Sequence, residues 1–141
     1  MKKSVRSFLS LTLVLIMAFF AVSCADKAEA SLWDDAVYTS DTELGEGEKV
    51  LSIEVSAQDK TVVFTVKTDK ETVGEALLEN GIIEGEQGPY GLYIKKVNGI
   101  RAAYDLDKAY WAFYVDGDYA VSGVDATPID QEVVYGLTYT K

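Results

Sequence analysis

The run Tyr110-Trp111-Ala112-Phe113-Tyr114-Val115-Asp116-Gly117-Asp118-Tyr119-Ala120 reads as a β-hairpin. Aromatic and β-branched residues suit a pleated, half-buried surface, and they lead up to Asp-Gly, which accepts the positive backbone angles of a two-residue hairpin turn. With Asp116 and Gly117 in the turn, Val115 opposes Asp118 and Tyr114 opposes Tyr119. Period-two alternation then puts Tyr110, Ala112, Tyr114, Tyr119 and Val121 on one face, and Trp111, Phe113, Val115 and Ala120 on the other. The second set is the more apolar and is expected to face the core, against a helix carrying Leu77. The first set is amphipathic, each tyrosine offering a ring face with a hydroxyl at its tip. Such a face either contacts a ligand or is covered by the N-terminal segment through Trp33.

Around this hairpin the periodicity is that of a small mixed domain. Leu51, Ile53 and Val55 alternate with Ser52, Glu54 and Ser56, as in a half-buried strand. Gln58-Asp59-Lys60 supplies a turn, and Thr61 to Thr68 returns with Val62, Phe64 and Val66 inward. Thr72-Val73-Gly74-Glu75 is a capping box, in which the hydroxyl and the carboxylate satisfy orphan helix amides reciprocally. Val73, Ala76, Leu77 and Asn80 follow helical spacing, and Gly81 stands where a left-handed cap belongs. A helix of about two turns is stable only when packed on something. The segment Glu84 to Gly91, with three glycines and a proline, reads as a shaped lip carrying Tyr90 and not as a regular element. Leu92 to Val97 is a strand, Asn98-Gly99 a second tight hairpin signal, and Glu132 to Thr140 a closing strand with Val133, Tyr135, Leu137 and Tyr139 on one side. The fold class expected is α+β: an antiparallel sheet of hairpins with one short packed helix.

The beginning of the chain reads as an export signal. Lys2, Lys3 and Arg6 precede an almost unbroken apolar run from Phe8 to Phe20, too short for a comfortable bilayer span but suited to a signal peptide. Ala21-Val22-Ser23-Cys24 follows, and Cys24 is the only cysteine. These four residues resemble a bacterial lipobox, with Ala21 where leucine is usual. The resemblance implies that residues 1–23 are a lipoprotein signal peptide and that Cys24 is lipidated. The protein is then expected to be extracytoplasmic, held to the bacterial cell membrane by acyl chains and not by a spanning helix. Ordinary signal-peptidase cleavage near Ser23 or Ala25 is the alternative. Residues 24–48 read as an acidic tether and N-terminal extension, although Trp33 and Tyr38 are unusual in a disordered linker. Residues 49–141 are the expected domain.

Loss of the signal removes three cations and no acid, taking the formal charge from −10 to −13. Nucleic acid, which needs a basic footprint, is excluded as a partner, and so are anionic headgroups bound by the protein itself. Without intrachain disulfides, the domain must hold itself by packing. The chain contains no histidine, which removes the common nucleophile–base pairs and the His/Cys metal sites together. Asp105 and Asp107 form either a carboxylate pair, a calcium ligand set or two solvated acids. Their spacing lacks the glycine and distal glutamate of an EF-hand loop. No enzyme activity, cofactor or metal site is expected.

The run Thr72-Val73-Gly74-Glu75-Ala76-Leu77-Leu78, followed by Tyr110 to Gly117 and by Gly123-Val124-Asp125, resembles the transcobalamin-like C-terminal domain family, also known as a bacterial domain of unknown function. The resemblance covers about Val50 to Tyr139 and implies a β-grasp-like sheet. In animal cobalamin carriers the equivalent domain caps a corrinoid held mainly by a larger helical domain, for which the chain as read has no room. Bacterial members are often small surface lipoproteins. The resemblance therefore implies a surface lipoprotein that binds a bulky small molecule, with cobalamin or another corrinoid first in line. Tyr90, Tyr110, Tyr114 and Tyr119 are the expected ligand contacts, and a transporter or surface protein the expected partner. Without histidine, imidazole cannot ligate cobalt, so binding would rest on shape, stacking and hydrogen bonds. The alternative is a non-enzymatic cell-surface module for protein interaction or structure.

Overall fold

Both glycine hairpins adopt the conformation that their sequences require. In the computed structural model, which describes residues 30–141, Asn98 and Asp116 take φ of 50° and Gly99 and Gly117 take φ of 83°. Positive angles at both central residues give a turn whose twist matches that of the flanking strands. The expected signal peptide and Cys24 lie outside the described residues.

Residues Ser31–Lys141 form one compact unit. Its strands are β1 (Thr42–Gly45), β2 (Lys49–Ala57), β3 (Lys60–Thr68), β4 (Ile83–Gly88), β5 (Gly91–Val97), β6 (Ile100–Arg101), β7 (Tyr110–Val115), β8 (Asp118–Tyr119) and β9 (Val134–Thr140). Helix α1 is Val73–Glu79 and the single turn α2 is Tyr104–Asp107. A six-stranded sheet runs β1-β3-β2-β9-β7-β8, and a three-stranded sheet runs β4-β5-β6. The fold is thus β-rich α+β, but it differs from one antiparallel sheet of hairpins. The larger sheet is mixed: β1 is parallel to β3, and β9 is parallel to β2. The closing strand fills the gap between the first hairpin and β7, where its backbone can pair on both edges. Its start is pinned there by Asp116, whose N–H donates to the Val134 carbonyl and whose Oδ1 accepts from the Val134 N–H, both at 2.8 Å.

Alternation on β2 and β3 buries Leu51, Ile53, Val55, Val62, Phe64 and Val66, as expected. Each such side chain contributes about 1.5–3 kcal/mol relative to exposure. The inner face of the larger sheet shares one core with Val73, Ala76 and Leu77 of α1 and with Ile83, Ile94, Val97 and Ile100 of the smaller sheet. The capping box forms in full, and Gly81 takes φ of 67° after the helix.

Two segments depart from the sequence reading. Glu84 to Gly91 is not an irregular lip. Residues Ile83–Gly88 form β4, paired with β5, and only Pro89 and Tyr90 make the turn. Its hydrophobic pattern is invisible because the strand is an exposed edge, and β5 carries a bulge: Glu84 pairs with Lys96 and Gly85 with Ile94, leaving Lys95 extra. The bulge reverses the phase of β5, so Ile94 and Val97 both reach the core. A side chain at Gly85 would lie 2.2 Å from the Tyr93 carbonyl oxygen, so only glycine fits.

Residues 31–48, read as tether and extension, also contribute to the fold. Trp33 is buried, donates from Nε1 to the Ala57 carbonyl at 2.9 Å, and has Lys60 Nζ 4.8 Å above its ring. It closes the end of the first hairpin and does not cover the tyrosine face. Tyr38 meets Phe64 edge-on, and the buried Asn98 side chain both accepts from the Tyr38 N–H and donates to its carbonyl. Thr42–Gly45 then adds β1 to the sheet.

Candidate functional site

Alternation on β7 places Trp111 and Phe113 inward, as expected, in the core that also holds Leu77 of α1, and their hydrogen-bond and ring partners lie on β6 and β9. The Trp111 indole donates to the Ile100 carbonyl of β6 at 3.1 Å and meets Tyr139 edge-on, while Phe113 stacks on Tyr135. The helix packs on β3, β4 and the 3-10 turn Val124–Ala126. The smaller sheet, through β5 and β6, occupies the space in front of β7.

On β7 the hairpin partner is short. Tyr114 opposes Tyr119 and Val115 opposes Asp118, as expected, and the Ala120 N–H still donates to the Phe113 carbonyl. The chain then leaves β7, with Val121 fully exposed, and passes through Ser122 and Gly123 to the turn beneath α1. Its departure opens a cleft of about 610 Å³. One wall is Tyr110, Trp111 and Phe113, another is Tyr119 to Val124, and the third is the β4–β5 hairpin with Tyr90, Leu92 and Tyr93. Tyr90 stands at the hairpin tip, 99% exposed. No charged side chain lines this cleft, in a chain of which 26% is charged.

The structure therefore brings together three of the four tyrosines singled out in the sequence, Tyr90, Tyr110 and Tyr119. Tyr114 is directed elsewhere. Its ring lines a separate concavity on the outer face of the larger sheet, and meets Tyr119 edge-on at 5.4 Å. Leu92, Tyr93 and Ser122 are cleft residues that the sequence does not point to, while Val121 belongs to the face that alternation gives to the tyrosines. Tyr93 and Leu92 were recognisable as strand residues, but nothing local shows which strand they face.

Asp125 holds the cleft together from behind. Its Oδ2 accepts from the Leu92 N–H at 3.2 Å, tying the Tyr90 hairpin to the turn after Val124. Its Oδ1 is buried and has no hydrogen-bond partner among the described residues. Side chains at Gly91 or Gly123 would each approach that oxygen to 2.9 Å, so the two glycines leave the carboxylate room. Asp107 also has an internal role: Oδ1 accepts from the Ala109 N–H, and Oδ2 accepts from the Tyr139 hydroxyl at 3.3 Å. Burial, together with the negative charge of Asp107 and this bond, raises the pKa of Tyr139, so the phenol stays protonated as a donor. Among the described residues no group of three or more His, Cys, Asp or Glu side chains is placed to hold a metal.

Comparison with known proteins supports the fold. Residues 70–139, just under half of the chain, match the family described as Domain of unknown function (DUF4430). The chain is similar to the crystal structure of a candidate metal-binding protein from Ruminococcus gnavus, with 29% identity and a TM-score of 0.62, over 67% of this chain and 98% of that one. It is also similar to haptocorrin, solved in complex with Cbi, with 20% identity and a TM-score of 0.51. That match covers 66% of this chain but only 25% of haptocorrin, and at this identity it is a likeness of fold. No curated protein sequence matches the chain.

Proposed function

We propose that the cleft binds a bulky, largely uncharged small molecule, with corrinoids first among the candidates, and that the protein does so as a non-catalytic lipoprotein outside the cytoplasmic membrane. The observation that carries this reading is the composition of the cleft. Aromatic rings and small apolar residues line it, tyrosine hydroxyls and Ser122 supply polar contacts, and no ionised side chain competes for water. Its volume lies within the roughly 300–1,000 Å³ usual for small-molecule sites. The likeness of fold to haptocorrin, solved with Cbi, adds support for a corrinoid. The absence of histidine supports both a non-catalytic role and recognition by shape and stacking. The apolar leader ending at Cys24 supports a lipid anchor and an extracytoplasmic location.

Equilibrium dialysis of the purified protein with cobalamin and cobinamide tests the reading. Retention that weakens in Tyr110→Ala and Tyr119→Ala supports it, whereas no retention at high-micromolar ligand removes the corrinoid. A second reading, a protein-interaction surface, draws on the exposed Tyr90, Val121 and Leu106. Dialysis failure combined with saturable capture of one membrane protein, lost in Tyr90→Ala, would favour it.

A further inference from the structure

The outer face of the larger sheet holds a second concavity, of about 580 Å³, distinct from the cleft. Strand register assembles it. Glu54, Gly136 and Tyr114 form one row across β2, β9 and β7, and Ser56 and Thr138 lie side by side in the next. The Asp116–Gly117 turn closes one end.

Gly136 is the informative residue. It sits in mid-strand with neighbours on both sides, where glycine weakens a sheet by its entropy and its missing side chain. Its backbone does not need glycine, since its φ is not among the positive values of the chain. Nor does a close neighbour exclude a side chain: a β-carbon there would meet only Tyr114 Cβ, at an ordinary contact distance of 3.5 Å. Glycine at such a place keeps the floor of the concavity bare, as a close approach by a ligand requires.

The walls define what would approach. Tyr114 presents a ring, backed edge-on by Tyr119. Glu54 is exposed and enters no ion pair among the described residues. Thr138 and Ser56 add hydroxyls, the latter already bonded to Thr61 at 2.8 Å. No lysine or arginine lines the site, so nothing there attracts a phosphate or carboxylate. A ring, two carboxylates (Glu54, and Asp116 whose Oδ1 already accepts from the Val134 N–H) and hydroxyls match a polyhydroxylated molecule that carries no negative charge and has one apolar face. We propose that this shelf is a saccharide-binding site, taking pyranose units whose C–H face lies on Tyr114 and whose hydroxyls donate to Glu54.

The test is a titration of the isotope-labelled protein with cellotetraose and, in parallel, chitotetraose, followed by amide chemical shifts. Saturable shifts at Glu54, Gly136 and Thr138 with either sugar, at dissociation constants of about 0.1–5 mM, are expected. Gly136→Ala should keep or raise the melting temperature while weakening binding by about tenfold or more, and Glu54→Gln should weaken it with the fold unchanged. The proposal is overturned by no shift with either sugar at about 10 mM, by shifts confined to the cleft, or by undiminished affinity in Gly136→Ala. A lower melting temperature in Gly136→Ala would also overturn it, because the glycine would then serve to seat Tyr114. Corrinoid binding in the cleft is read separately and does not affect these outcomes.

Discussion

Replacing Trp111 with phenylalanine, and then with alanine, probes the joint between the two sheets. The indole is 6% exposed, donates to the Ile100 carbonyl at 3.1 Å, and lies 5.6 Å from the Tyr139 ring centre. Phenylalanine keeps a ring but offers no donor, so the carbonyl of the buried Ile100 loses its side-chain partner. The carbonyl keeps its place opposite Val97 in the β5–β6 ladder, so the lost hydrogen bond costs about 0.5–1.5 kcal/mol, and the smaller ring adds a cavity contribution. Alanine removes the whole side chain, at about 3–5 kcal/mol. That is a large share of the roughly 5–15 kcal/mol that stabilises a domain. Urea unfolding measures both. With a slope of about 1–3 kcal/mol per molar, Trp111→Phe should lower the midpoint by about 1 M with the slope unchanged. Far-ultraviolet circular dichroism and the fluorescence of Trp33, the one tryptophan left, supply two independent probes. The reasoning is refuted if Trp111→Ala keeps the original midpoint and loses only cleft binding, because the indole would then serve the ligand and not the core.

Two further outcomes follow from particular contacts. Glu75 has its pKa lowered, chiefly by the Thr72 N–H, with the Glu71 N–H helping against the opposing effect of desolvation. A folded value below the unfolded one means stability that is present above the ordinary glutamate range and lost as pH falls through the folded value. Amide protection factors over residues 73–77, in which the intrinsic pH dependence of exchange is divided out, should therefore fall on acidification, and Glu75→Gln should remove that fall; the same fall in the variant would assign it to another group. Asp125→Ala should raise exchange at the Leu92 amide, by an opening free energy reduced by about 1–3 kcal/mol, with Asp125→Asn losing less because it keeps an oxygen acceptor. Unchanged protection of Leu92 would show that the Tyr90 hairpin is held by other contacts.

Local chemistry made much of the fold legible. Asn98-Gly99 and Asp116-Gly117 specify their turns through backbone angles that few other residue pairs accept, and Thr72 with Glu75 specifies where α1 begins. Alternation separated Leu51, Ile53 and Val55 from their solvent-facing neighbours, and Trp111 and Phe113 from the tyrosines. Two strands escaped this logic. β4 is an edge rich in glycine and glutamate, with little apolar pattern to read, and β1 is four residues long with a half-exposed pattern.

By itself, then, the sequence determined the β2–β3 hairpin and the two glycine hairpins, the capped helix, the inward faces of β2, β3 and β7 and the acidic, histidine-free chemistry. These depend on residues a few positions apart. Only the tertiary structure decided that β9 lies parallel to β2, that the β4–β5 hairpin stands opposite β7, and that Asp125 ties that hairpin to the turn Val124–Ala126. Those pairings join segments far apart in the chain, and they form because buried backbone and apolar faces need partners that no local pattern names. The same assembly divided the tyrosines. Tyr110, Tyr114 and Tyr119 were assigned to one face of the hairpin by their alternation, but Tyr110 and Tyr119 border the cleft with Tyr90, while Tyr114 stands on the outer sheet beside Gly136. Strand period says which side a residue takes, and only the neighbouring elements say what that side faces.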